Sequence, residues 1–135
     1  MFDHISIGVA DLDRSLTFYE RTLAPLGYVN AVLYNEPTGT RSAGFSPATA
    51  APEDTPPFWL EERKGAPIAC PAGTHLCFKA AERAGVHAFH AAGLAAGGAC
   101  NGAPGLRPAY GPSYYAGFLT DPDGWRIEAV TFSPD

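Results

Sequence analysis

Three side chains able to bind a divalent cation stand inside apolar, alternating stretches: His4 in FDHISIGVA, His75 in GTHLCFKA and Glu128 in WRIEAVTF. Successive side chains of a strand point to opposite faces. In the first stretch Ile5, Ile7 and Val9 share one face, which leaves His4 with Ser6 and Gly8 on the other. In the second, Leu76 and Phe78 take the packed face and His75 and Cys77 the opposite one. In the third, Ile127 and Ala129 pack, while Arg126, Glu128 and Val130 point away. Two imidazoles and one carboxylate therefore share a phase. Together they form a good donor set for a first-row divalent metal, and three protein ligands leave positions open for water or substrate. Zn, Mn, Fe, Ni and Co all suit these ligands, and any of them would act as a Lewis acid on substrate oxygens, with Glu128 also a candidate to move a proton. Taken singly, a strand histidine is as a rule a hydrogen-bonded residue, and a lone glutamate a solvated one. Alternation alone does not show that the three strands are neighbours.

The elements that must position these residues recur in two rounds. Asp11 is a plausible N-cap, followed by Leu12, Leu16, Tyr19, Leu23 and Leu26 at helical spacing and by Gly27 as a stop. Three short segments rich in strand formers follow, 28–36, 41–47 and 56–63, separated by Pro, Gly, Thr and Asp. ATAAPEDTPP, 48–57, is the most linker-like stretch, yet it lies between two predicted strands. The second round has a strand over 73–80 and a helix over 82–98, with Val86, Phe89, His90, Gly93 and Leu94 along one face. Strands over 114–121 and 125–132 are joined by the turn Asp121-Pro122-Asp123-Gly124, with a possible short strand before the loop NGAPGLRPAYGP. Strand, helix and strands thus occur twice, an internal repeat of about 65 residues. The expectation is an α+β chain forming a single domain over 1–135, built from modules 1–66 and 72–133.

With 135 residues and 46% hydrophobic content, the chain can bury a useful core. Charged residues make up 17% and the net charge is -5, which gives no electrostatic footprint for nucleic acid or an anionic membrane. No apolar run approaches the roughly 18 residues of a membrane span, and no leader pattern opens the sequence. Cys70, Cys77 and Cys100 form no C-x-x-C and are odd in number, which fits a reduced, cytoplasmic setting.

Other residues are candidates to line a pocket. Arg107, Tyr110, Tyr114 and Tyr115 lie in or beside the Pro- and Gly-rich loop, where an aromatic and cationic rim suits an anionic or aromatic small ligand. Trp59 joins them if it shares the metal face. Glu61 shares that face too if Phe58 and Leu60 pack, although Glu61 and Glu62 also read as solvated charges at a strand end. His87 and His90 have no evident third ligand, and Cys77 reads as a small core residue. NGAPGLRPAYGP lacks the strand-to-helix setting of a phosphate-binding loop.

The segments DHISIGVADLDRSLTFY, GTHLCF and DPDGWRIE resemble, in order and over nearly the whole chain, the vicinal oxygen chelate superfamily of glyoxalases, bleomycin- and fosfomycin-resistance proteins and extradiol dioxygenases. The resemblance implies two βαβββ modules forming a curved mixed sheet around a concave, glyoxalase-like site. It also implies a homodimer whose sites draw on both modules. By position His4, His75 and Glu128 match the metal ligands, and Glu61 is the nearest candidate for the fourth ligand of lactoylglutathione lyases. Phe58-Trp59-Leu60 looks more like the fosfomycin-resistance branch, in which three ligands suffice. The function implied is a small metal-dependent enzyme chelating vicinal oxygens of a small substrate, with lyase or isomerase, thiol-transfer or dioxygenase chemistry open. The alternative is a metal-free binding or sequestering protein of the bleomycin-resistance type. Metal analysis separates the two.

Overall fold

Asp11 Oδ1 accepts a hydrogen bond from the Arg14 amide at 3.0 Å and so caps the first helix, as its side-chain type predicts. The computed structural model describes residues 2–134. The first module runs β1 (Ile5–Val9), α1 (Leu12–Leu23), a 3₁₀ turn (Ala24–Leu26), β2 (Tyr28–Asn35), β3 (Arg41–Pro47) and β4 (Phe58–Glu62). The second runs β5 (Leu76–Lys79), α2 (Arg83–Ala95), β6 (Ala99–Leu106), β7 (Tyr115–Thr120) and β8 (Arg126–Thr131). The strand orders are β1-β4-β3-β2 and β5-β8-β7-β6, so the repeat read from pattern is a repeat of topology. In each sheet the first and last strands of the module pair in parallel and the remaining pairs are antiparallel. The mixed sheet thus comes as two open four-stranded halves.

The helices cover the faces that alternation assigns to packing. Ile7, Val9, Phe58 and Leu60 are buried in the first module, and Leu76, Phe78, Ile127 and Ala129 in the second. One contiguous apolar cluster joins both sets. Phe78 of β5 meets Phe58 of β4 edge to face at 5.3 Å and Tyr28 of β2 at 5.8 Å, geometries that add about 0.5–1.5 kcal/mol each beyond area burial. At Gly93 a Cβ would fall 2.2 Å from Leu119 Cδ1 and 3.3 Å from Thr22 Cγ2, so the missing side chain is what lets α2 lie against both β7 and α1.

The turn between β7 and β8 anchors the second module to the first. Asp121 Oδ1 accepts from the amides of Asp123 and Trp125, while its Oδ2 accepts from the Tyr19 hydroxyl at 2.8 Å. Asp123 pairs with Arg14 at 2.5 Å, and Trp125 Nε1 donates to Gly8 O at 2.9 Å. Gly124 sits at φ 98°, a backbone conformation that favours glycine, so this turn type depends on it.

Two elements differ from the sequence reading. The strand before β7 is longer than predicted, because β6 continues through Asn101-Gly-Ala-Pro-Gly-Leu106. It is an edge strand, where Pro104 breaks no inner ladder, and its pairing slips between Cys100 and Gly102 and again between Gly102 and Gly105. Glu62 is buried rather than solvated: its partner in the ladder is Val9, so it lies on the packed face. There its Oε1 accepts from the Leu12 amide at 3.1 Å, a carboxylate at the start of α1 where unpaired amides and the helix dipole favour one. Among the described residues no helix is long and apolar enough to cross a membrane, and all three cysteines are free.

Candidate functional site

β5 and β8 lie side by side in parallel, with Leu76 opposite Ile127 and Cys77 opposite Glu128. His75, one residue before β5, therefore falls on the same face as Cys77 and Glu128, away from α2. Its Nε2 lies 3.0 Å from Glu128 Oε2. The Tyr114 hydroxyl donates to the other oxygen, Oε1, at 2.5 Å. Glu128 is only 1% exposed, so these two partners compensate a carboxylate that would otherwise be costly to bury. Its neighbours respond to it. Burial first, and then the Glu128 carboxylate, push the Cys77 thiol up to about 12. Burial and the hydrogen bond to Glu128 raise Tyr114 as well. Cys77 as a residue keeps solvent contact while its thiol is withdrawn against Glu128, so it is not the small core residue that its place in the strand suggests.

Two atoms bound at roughly 2.1 Å to one tetrahedral cation lie about 3.4 Å apart, and closer in higher coordination. At 3.0 Å, His75 Nε2 and Glu128 Oε2 are within hydrogen-bond reach of each other, closer than two adjacent ligands of a tetrahedral cation. The third predicted ligand is not beside them. His4 Nδ1 pairs with Asp3 Oδ1 at 2.8 Å, and its strand pairs with β4 in the other sheet. Among the described residues, no three His, Cys, Asp or Glu form a group that could hold a metal ion. The structure thus joins two of the three predicted ligands and leaves His4 on the other module.

A cleft of about 370 Å³ opens beside His75, and Asn101, Arg107, Tyr110, Phe118 and Arg126 line it. Arg107 and Tyr110 were expected at a pocket. Phe118, opposite Glu128 in the β7–β8 ladder, was not singled out, although its place in YYAGFLTD carries the phase. Alternation in WRIEAVTF puts Arg126 on the same face as Glu128. Tyr114 is at Glu128, but Tyr115 points to the helix side, where its hydroxyl meets His87 Nε2 at 2.7 Å and Arg83 lies over its ring. His90 faces Cys100 Sγ at 3.3 Å.

Trp59 and Glu61 lie on the open face of the first module, opposite Ser6 and Gly8 of β1 and in phase with His4. Trp59 stacks on Tyr34 at 5.8 Å with ring planes 6° apart, and its Nε1 donates to Pro56 O. Glu61 pairs with Arg63 at 2.5 Å. Neither contacts the His75–Glu128 pair in these bonds.

The pattern common to the Glyoxalase/Bleomycin resistance protein/Dioxygenase superfamily matches residues 1–129. The chain belongs to this superfamily. A glyoxalase/bleomycin resistance protein from Albidiferax ferrireducens T118 is 30% identical, with a TM-score of 0.73 over 96% of this chain and 97% of that one. Glyoxalase I from Zea mays is 23% identical with a TM-score of 0.72 over 96% of this chain; the superfamily member described here spans 45% of the maize chain, about half its length. The trypanothione-dependent glyoxalase I of Leishmania major is 20% identical with a TM-score of 0.63, over 98% and 86% of the two chains. The maize and Leishmania likenesses carry the fold alone. No curated protein sequence matches this superfamily member.

Proposed function

We propose that this superfamily member is a metal-dependent enzyme acting on a small molecule, with His75 and Glu128 as two metal ligands. The observation that supports the reading is the 3.0 Å approach of His75 Nε2 to a buried Glu128 carboxylate on an open sheet face. His4 is the third ligand in this reading. Since it is not gathered with the other two within one chain, a homodimer would supply it from the partner's first module. Bound there, a Zn, Mn, Fe, Ni or Co ion would supply Lewis-acid polarisation of vicinal substrate oxygens.

The chain's own residues have separate tasks. Tyr114 holds Glu128 Oε1 and so fixes the rotamer that presents Oε2 to the site. In this reading the Glu128 carboxylate also serves to accept or return a substrate proton. Arg107 and Tyr110 stand at the cleft and orient what enters it. The reading covers lyase or isomerase, thiol-transfer and dioxygenase chemistry alike. The three free cysteines suit a cytoplasmic setting.

Metal analysis of untagged protein grown in supplemented medium tests the proposal. One divalent ion per chain is expected, lost in His75→Ala and Glu128→Gln, and lost in His4→Ala with the oligomeric state kept. A metal-free wild type that also takes up none on titration would sink it. That outcome supports the second reading, a metal-free binding protein, which the saturation of both Glu128 oxygens by Tyr114 and His75 favours.

A further inference from the structure

We infer that the cleft beside His75 is an anion-binding subsite, and that the ligand it takes is a small molecule carrying a carboxylate or phosphonate on an apolar or aromatic body. The inference rests on reading this face as a small-molecule site, and it does not require a metal.

Two guanidinium groups face the cleft, Arg107 and Arg126, and no Asp or Glu lines it among the described residues. Arg107 donates to Ala103 O at 2.6 Å and Leu106 O at 3.2 Å, and Arg126 donates to Pro71 O at 2.8 Å. These acceptors are neutral. Each guanidinium carries five N–H donors, and among the described residues neither pairs with a carboxylate. In a chain of net charge -5, two cations at one cleft, with the Glu128 carboxylate behind them already engaged by His75 and Tyr114, are a local concentration of positive charge. Asn101 adds an amide, and Phe118 and Tyr110 provide ring surfaces for an apolar body.

Arg107 is held in place by the backbone of β6. Its guanidinium lies over the Phe118 ring, 5.3 Å from the centroid. A Cβ at Gly105 would stand 3.1 Å from Arg107 Nη1. A Cβ at Gly102, where φ is 148°, would stand 2.9 Å from Phe118 Cδ2 and 3.5 Å from Arg107 Nη2. The two glycines at the slips in β6 therefore leave room for the arginine to fold back along the strand. The irregular loop composition of NGAPGLR thus has a purpose: it seats a cation over an aromatic ring.

The test uses full-length protein dialysed against EDTA and titrated calorimetrically with phenylphosphonate, benzoate and the neutral benzamide. The anions are expected to bind, benzamide about tenfold more weakly or not at all, and affinity to fall with added salt. Arg107→Gln and Arg126→Gln should each weaken phenylphosphonate about tenfold, and Arg107→Lys should recover only part, because it loses the planar fork. Equal binding of benzamide, unchanged affinity in both glutamine variants, or no anion binding at millimolar concentration overturns the inference. A separate metal titration of the same protein and of Glu128→Gln keeps the two readings apart. Anion binding without metal uptake leaves the subsite standing while the metal proposal falls; metal uptake without anion binding does the reverse.

Discussion

Tyr114 donates its hydroxyl to Glu128 Oε1 at 2.5 Å, from the residue just before β7 to the middle of β8, and closes over a carboxylate that is 1% exposed. A buried carboxylate left with one partner fewer is destabilising, and hydrogen bonds to charged groups contribute about 1.5–3 kcal/mol. Phenylalanine keeps the ring and its edge-to-face contacts with Tyr110 and Phe132, at 5.3 and 5.4 Å. Tyr114→Phe should therefore lose about 1.5–3 kcal/mol at neutral pH by urea unfolding. An unchanged midpoint would mean that the hydroxyl is not what compensates Glu128.

The same carboxylate governs Cys77. Burial holds the thiol up and the Glu128 charge raises it further, to about 12, so removing the charge lowers it part of the way. In a background with Cys70 and Cys100 replaced by serine, Glu128→Gln should alkylate with iodoacetamide several-fold faster at about pH 9 than the parent, because more thiolate is present. Equal rates would show that burial alone sets the thiol.

Asp121 gives a pH dependence of defined sign. Burial raises its carboxyl above the ordinary 3.8, against the lowering effect of its bonds from Tyr19, Trp125 and Asp123. As pH rises past the ordinary value, the unfolded chain loses this proton while the folded chain still holds it. The contribution to stability is therefore full below that value and is lost as pH rises through the folded pKa. Asp121→Asn keeps an acceptor for the two turn amides and has nothing to ionise. The stability of Asp121→Asn relative to wild type should rise between about pH 4 and about pH 7 in urea unfolding. A constant difference would exclude the linkage.

Much of this site can be read from periodicity. That Glu128, His75 and Cys77 face away from α2 follows from Leu76, Phe78, Ile127 and Ala129 being apolar and two apart. The repeat is legible for the same reason, since each round begins with an alternating strand and continues with helical spacing. Less was legible where one residue's step decides a face. Tyr114 and Tyr115 are identical in kind, yet one meets Glu128 and the other His87. Glu61 and Glu62 divide likewise, one at Arg63 on the surface and one capping α1 from within. The full extent of β6 was not legible because Gly and Pro mark loops by composition, and only an edge position makes them acceptable in a strand.

The sequence by itself determined the repeated βαβββ pattern, the packed and open faces of each strand, and the presence of two imidazoles and a carboxylate in one phase. The tertiary structure decided which of them meet. Glu128 reaches His75 because β5 and β8 are parallel neighbours in register, and His4 stays with Asp3 because β1 pairs with β4 in the other sheet. The physical reason is one of range: alternation is fixed by the local geometry of the backbone, whereas strand neighbours are chosen by non-local hydrogen bonding and core packing between segments far apart in the chain.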